Sequence, residues 1–246
     1  MPYMTALETK QALVDAIRML ERAAIIDHSG HGSVRRDAAS FYINSGASVR
    51  NALTTDDIVV VDLDGGLVEG AEKAPLEFHI HSEIYRTRPD VNVVMHTHPR
   101  WSTLLTMARV AVAPVYAQAC LLGDVPVMDT PLSINTKAMG ERLAGTLGQA
   151  RVLLLKSHGA VVVGGDIVEC FALATYLEEN ASRQYLAMQV GTPYVLSATE
   201  QQACQVNLWS PQLFRKTWDY HRSKLGEGGR RTPAADSGPS NTSRTL

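Results

Sequence analysis

Residues 75–99 read PLEFHIHSEIYRTRPDVNVVMHTHP, setting one glutamate of interest, four histidines and a tyrosine within twenty-five positions. Glu77, His81 and Tyr85 recur every four residues, so the spacing predicts a helix that carries all three on one face and ends at Pro89 and Asp90. Val91 to Met95 is mostly apolar and β-branched, which predicts a buried strand delivering His96 and His98 at its end. A spacing of two on a strand points both imidazoles to the same side, as chelation requires. His79 falls on a different helix face from Glu77 and His81, and the expectation for it is a structural or supporting role.

Working outward, Arg151–Lys156 (RVLLLK) predicts a second buried strand that runs through Ser157-His158-Gly159 into the apolar segment Ala160–Gly164. A lone strand histidine is more often a packed core residue than a ligand. A pair at spacing two, joined by a third histidine flanked by glycine, favours a metal site instead. His96, His98 and His158 are therefore the candidate ligands. Three neutral imidazoles suit zinc, manganese, iron or cobalt and leave a coordination position open to substrate.

The 246 residues suffice for one substantial core, and no mid-chain linker divides them, so one domain over residues 1–225 is expected. Residues 226–246 are rich in Gly, Pro, Ser and Thr without apolar periodicity and are expected to form a disordered tail. A formal net charge of −2 with acids and bases interspersed excludes the basic stripe of a nucleic-acid binder. Cys120, Cys170 and Cys204 are widely spaced and contain no Cys-x-x-Cys pair, which argues against a disulfide framework or a thiolate zinc site. With neither a signal peptide nor an apolar run long enough to span a membrane, the expectation is a cytoplasmic protein without a membrane partner.

Elsewhere, Thr5 and Glu8 have capping-box spacing and begin a helix expected over residues 5–27. His28–Val34 reads as a loop passing close to a ligand, and Ser45-Gly46 as a second such loop with Arg50 just beyond it. Strands are expected at 41–44, at 57–63 with a hairpin return at 67–70, and at 124–129. Helices are expected at 101–108, 135–147 and 167–188, and one or two between 200 and 224. In the last of these, Phe214, Trp218 and His221 form a stripe expected to bury against a neighbouring subunit.

Glu77, His96-Thr-His98 and Ser157-His158-Gly159, with the Gly30–Arg35 and Ser45-Gly46 loops and the Arg88–Asn92 lead-in, together resemble the class II aldolase/adducin family over roughly residues 8–220. The resemblance implies an α/β fold: a single three-layer α/β/α domain with a mostly antiparallel central sheet, assembled as a homotetramer with active sites at subunit interfaces. It also implies a divalent metal on His96, His98 and His158, with Glu77 beside it as a catalytic group and Tyr116 as a proton donor across the boundary. Sugar-phosphate aldolases of the family carry an Asn in the first glycine loop and a Ser-Ser pair before the glutamate. Here His31 and Pro75-Leu76 take those places, removing donors that a phosphate needs. The Glu77-x-x-Ile80-His81-x-x-Ile84-Tyr85 pattern is similar instead to the branch that decarboxylates hydroxylated aromatic dicarboxylates. Glu77 or His81 would then shuttle the proton, and His31, Ser45, Gly46 and Arg50 are the candidates for binding the small-molecule substrate's second carboxylate. The competing expectations are an aldolase acting on an unphosphorylated hydroxy acid or sugar and, less favoured because all three histidines and the glutamate are kept, a non-enzymatic scaffold like the adducin head domain.

Overall fold

The computed structural model describes residues 4–226. Thr5 and Glu8 close a reciprocal capping box, and the first helix, α1, follows as Ala6–Arg22. Its inward stripe of Leu13, Ile17 and Leu20 is fully buried, each such side chain contributing roughly 1.5–3 kcal/mol relative to exposure. The strands are β1 (His31–Arg35), β2 (Ser40–Asn44), β3 (Ile58–Asp62), β4 (Leu67–Glu69), β5 (Val93–Thr97), β6 (Val127–Met128), β7 (Val152–Leu155) and β8 (Gly159–Gly164). Between and after them lie α2 (Phe78–Thr87), α3 (Arg100–Met107), α4 (Lys137–Leu147), α5 (Ile167–Val190), α6 (Ala198–Leu208) and α7 (Pro211–Arg222).

All eight strands join one sheet in the order β4-β3-β2-β1-β5-β8-β7-β6. Every pairing is antiparallel except β6 with β7. The two faces of the sheet are both covered, which is why β7 and β8 read as unbroken apolar runs. On one face Val60, Met95, Leu154 and Val162 pack with Leu13 and Ile17 of α1, Phe171 of α5 and Trp218 of α7. On the other, Val61, Val94, Leu153 and Val161 pack with Ile80 and Ile84 of α2 and Leu143 and Leu147 of α4. The arrangement is the expected three-layer α/β/α stack around a mostly antiparallel sheet.

Three local expectations are corrected. The segment 28–34 is a loop only to Gly30; from His31 it is β1, hydrogen-bonded on both edges to β2 and β5. Its small residues pass under α1 and need a strand's close approach, not a loop's freedom: a Cβ on Gly32 would fall 2.5 Å from Met95 Sδ. Glu77 is not on the helix face but at the cap position before α2, in a non-helical conformation. Phe214 and Trp218 bury within this chain, Trp218 edge-on to Phe171 at 5.3 Å, so those two close the fold's own core, while His221 is half-buried. The expected tail, apart from Gly226, lies outside the described residues.

Candidate metal centre

Val94 of β5 faces α2, and with a side-chain period of two His96 emerges on the same side at the strand's end. His98 follows the strand, its backbone N–H donated to the Ile25 carbonyl at 3.1 Å. His158 occupies the turn between β7 and β8, which the sheet places directly beside β5. Ser157 in that turn adopts a left-handed φ of 56°, and its N–H is held by Thr106 Oγ1 of α3 at 2.9 Å. Gly159 is required next to it, because a Cβ there would lie 2.3 Å from the Thr97 carbonyl oxygen.

These elements bring Glu77, His96, His98 and His158 together, with one donor atom from each inside a group no more than 4.8 Å across. His96 Nε2 and His98 Nε2 are 3.0 Å apart, and Glu77 Oε2 is 3.4 Å from His96 Nε2. The outer ring nitrogens show which way the protons point. His96 Nδ1 faces the Ala160 carbonyl at 3.1 Å, and His98 Nδ1 faces the Asp27 carboxylate at 2.8 Å, so both Nδ1 atoms donate. Both Nε2 atoms then present lone pairs, to each other and to a carboxylate. Such a set repels itself unless a cation stands between its members, and outward N–H groups held by acceptors are the usual support for metal-bound imidazoles. The residues therefore fit a divalent cation. His158 Nε2 lies 3.8 Å from Glu77 Oε1; its Nδ1 is buried, with the Leu132 carbonyl nearby but outside hydrogen-bonding geometry.

The electrostatics agree with this reading. Burial pushes His98 and His158 below the usual imidazole range, with His96 adding to the effect on His98, and holds both neutral as ligands must be. Burial would raise the Glu77 carboxyl, but the nearby His31 and the Ile134 N–H, donated to Oε1 at 2.7 Å, outweigh it and keep the group well below the usual carboxylate range. The centre thus carries a fixed negative charge among neutral imidazoles.

The other expected site residues fall into three groups. His31, on β1 directly opposite His96, joins the centre's edge, its Nε2 3.8 Å from Glu77 Oε2. His81 lies one layer behind, bonded to His31 and Ser33 and not to the four-residue cluster. Ser45 and Gly46 lead out of β2, and the Ser45 hydroxyl is buried without a partner in the chain. Arg50 is buried, and the bonds of its guanidinium run to the Gly30, Ser45 and Ser48 carbonyls, tying the two loops together. Tyr116 stacks under Arg183 of α5 at 4.1 Å, and among the described residues no contact joins it to the cluster. His79 packs on Phe78 outside the centre. Sequence reading missed Asp27, although its place just before a Ser-Gly pair signals a turn-forming carboxylate: it accepts from the Ser29 and Gly30 N–H groups as well as from His98.

A family model described as the class II aldolase and adducin N-terminal domain matches residues 11–185. The chain belongs to this family. Among curated class II aldolase relatives, a 3,4-dihydroxyphthalate decarboxylase of Arthrobacter keyseri is 28% identical over 202 residues, covering 76% of this chain and 80% of that protein. An L-fuculose phosphate aldolase of Methanococcus vannielii is also 28% identical, over 182 residues, covering 69% of this chain and 91% of that protein. In fold, an aldolase II superfamily protein from Pseudomonas syringae superimposes with a TM-score of 0.80 at 22% identity, covering 92% of this chain and 96% of that one. Among the described residues no helix is long and apolar enough to cross a membrane.

Proposed function

We propose that this chain is a metal-dependent, non-oxidative decarboxylase of a hydroxylated aromatic dicarboxylate, with His96, His98 and His158 holding the cation. The observation that carries the reading is the approach to Glu77: Pro75, buried beside Gly46, and Leu76, 80% exposed, make an apolar edge without a hydroxyl in the chain just before the carboxylate. An aromatic ring suits that edge and a phosphate does not. The likeness to a 3,4-dihydroxyphthalate decarboxylase supports the same substrate class.

When bound, a divalent cation supplies Lewis-acid stabilisation of negative charge. The remaining work falls to the chain. Glu77, anchored by Ile134, takes the proton of the ring hydroxyl as the substrate's second carboxylate engages the His31 N–H that otherwise keeps Glu77 acidic. The carbon–carboxylate bond then breaks, its electron pair stays with the ring, and carbon dioxide departs. Glu77 returns its proton to that carbon, so atoms and charge balance. The unpartnered Ser45 hydroxyl and the His31 Nε2 receive the second carboxylate in this reading, with Gly46 held by the Lys73 carbonyl and Arg50 keeping their loops in register. Tyr116, turned away from its own chain's cluster, fits a role at the centre of a neighbouring subunit in a homotetramer.

Incubating zinc- or manganese-loaded protein with 3,4-dihydroxyphthalate should release carbon dioxide, and His96→Ala should remove both the ion and turnover. Aldehyde release from fuculose phosphate or an unphosphorylated hydroxy acid, with no carbon dioxide from a panel of aromatic hydroxy-diacids, would replace this reading with the aldolase one that the Methanococcus relative represents.

A further inference from the structure

Ser33 and Tyr85 have no part in the chemistry above, yet they complete a line of short hydrogen bonds that leads inward from the centre. His31 Nδ1 meets His81 Nε2 at 2.7 Å, His81 Nδ1 meets Ser33 Oγ at 2.6 Å, and Ser33 Oγ meets the Tyr85 hydroxyl at 2.7 Å. The register explains why. His31 and Ser33 are two apart on β1, and His81 and Tyr85 are four apart on α2, so both pairs repeat at roughly 6–7 Å and the strand and helix match rung for rung. None of the four side chains is more than 3% exposed, so water does not compete for these bonds.

A line of this kind can be polarised in either direction, and its inner end decides which. The Tyr85 hydroxyl has two acceptors in reach: Ser33 Oγ at 2.7 Å and the Asn92 carbonyl at 3.4 Å, the latter already taken by the Arg35 N–H at 2.7 Å. The Arg35 guanidinium over the Tyr85 ring, 4.5 Å from its centroid, draws electron density and makes the phenol a better donor. Tyr85 therefore donates to Ser33, Ser33 to His81 Nδ1, and His81 through its Nε2 hydrogen to His31 Nδ1. That leaves the His31 hydrogen on Nε2, an atom buried without a partner in the chain and turned toward Glu77. Since burial raises the Tyr85 phenol well above its usual range, the line has no proton to supply from its far end and orients without conducting.

We propose that Tyr85, Ser33 and His81 are positioning residues that lock His31 as the Nε2–H tautomer, so that a neutral imidazole offers a fixed N–H to a carboxylate oxygen of the substrate. The carboxylate half of this statement rests on the proposed function; the tautomer half does not. Neutron diffraction from deuterium-exchanged crystals of the zinc-loaded full chain tests the latter directly. Deuterium is expected on Nε2 of both His31 and His81, with His31 Nδ1 bare; deuterium on His31 Nδ1 overturns the proposal. In Ser33→Ala crystals the His31 deuterium should be divided between the two nitrogens, and retention of the single Nε2 pattern would show that the line does not set it. With 3,4-dihydroxyphthalate, Tyr85→Phe and Ser33→Ala should each raise KM about tenfold while kcat changes by less than about threefold, as loss of a preset ground-state contact requires. An unchanged KM, with the parent turning over, refutes the carboxylate contact. If no hydroxy-diacid is decarboxylated by the parent but the deuterium pattern holds, the substrate assignment falls and the tautomer stands.

Discussion

Replacing Asp27 should weaken metal binding although Asp27 touches no metal. Its carboxylate does two things: it accepts the His98 Nδ1 hydrogen at 2.8 Å, and it caps the Ser29 and Gly30 N–H groups at 2.8 and 3.2 Å. The first fixes the ring so that Nε2 faces the cluster and raises its basicity; the second holds the lead-in to β1 and so the position of His31. Loss of such a partner typically lowers metal affinity about 10–100-fold, or about 1.4–2.7 kcal/mol. The Asp27 side chain is 41% exposed, which screens its charge and places Asp27→Asn near the tenfold end, since an amide oxygen can still accept from the ring and cap the turn. Asp27→Ala removes the acceptor as well and should lie near a hundredfold. Zinc affinity is read by competition with a chelating dye, with circular dichroism confirming the fold. If Asp27→Ala binds zinc within about twofold of the parent, far from the range that supporting carboxylates show, the proton assignment on His98 is wrong and with it the argument that the two Nε2 lone pairs converge.

Three further outcomes follow from particular contacts. Burial pushes His31 from the usual 6.5 down to about 4, so between these values the unfolded chain binds a proton that the folded one refuses. Stability of the metal-free protein should therefore be full above 6.5 and fall with acidification, the His31 share reaching about 2 kcal/mol near pH 5; urea melts of the parent and His31→Gln that show the same pH slope would refute this. Gly159→Ala puts a methyl 2.3 Å from the Thr97 carbonyl oxygen and 2.8 Å from His98 Cδ2. It should cost about 1–3 kcal/mol or more in a thermal melt and reduce bound zinc measured by elemental analysis. Glu178 receives the Trp101 and Ser102 N–H groups at 2.7 and 3.0 Å and so starts α3 directly after His98-Pro99. Glu178→Ala should destabilise by about 2–4 kcal/mol in urea, with Glu178→Gln losing less.

That His96, His98 and His158 come together was legible because their signal is local. A spacing of two on an apolar run, and a histidine between a strand and a glycine, each carry geometry that no distant residue has to supply. The sheet's layering was legible for the same reason, since β7 and β8 are apolar throughout. What the sequence hid is what depends on register between segments far apart in the chain. Nothing near Ser33 announces that its hydroxyl meets His81 and Tyr85, forty-eight and fifty-two positions later. His28–Val34 resembled a loop because glycine and serine are turn formers, and only the passage of Gly32 beneath α1, against Met95, makes them strand residues. Arg50 looked like a free cation beside a glycine loop, whereas folding spends its donors on backbone carbonyls. The Phe214 and Trp218 stripe was correctly apolar, but periodicity says only that a face is buried and not which molecule buries it.

The neighbouring positions of β1, β5 and β8 in the sheet have a final consequence. His31, His96 and the His158 turn hang from three adjacent strands joined by backbone ladders that use none of the candidate ligand atoms, so the sheet's pairing and the metal's donors are separate sets of bonds. A bound ion is then expected to add stability by mass action, about 2.7 kcal/mol at a hundredfold excess over Kd, and its removal to leave the sheet's ladders intact. On that footing, exchange of one transition metal for another is expected without passage through the denatured state, and the identity of the working ion would follow supply and exchange rate.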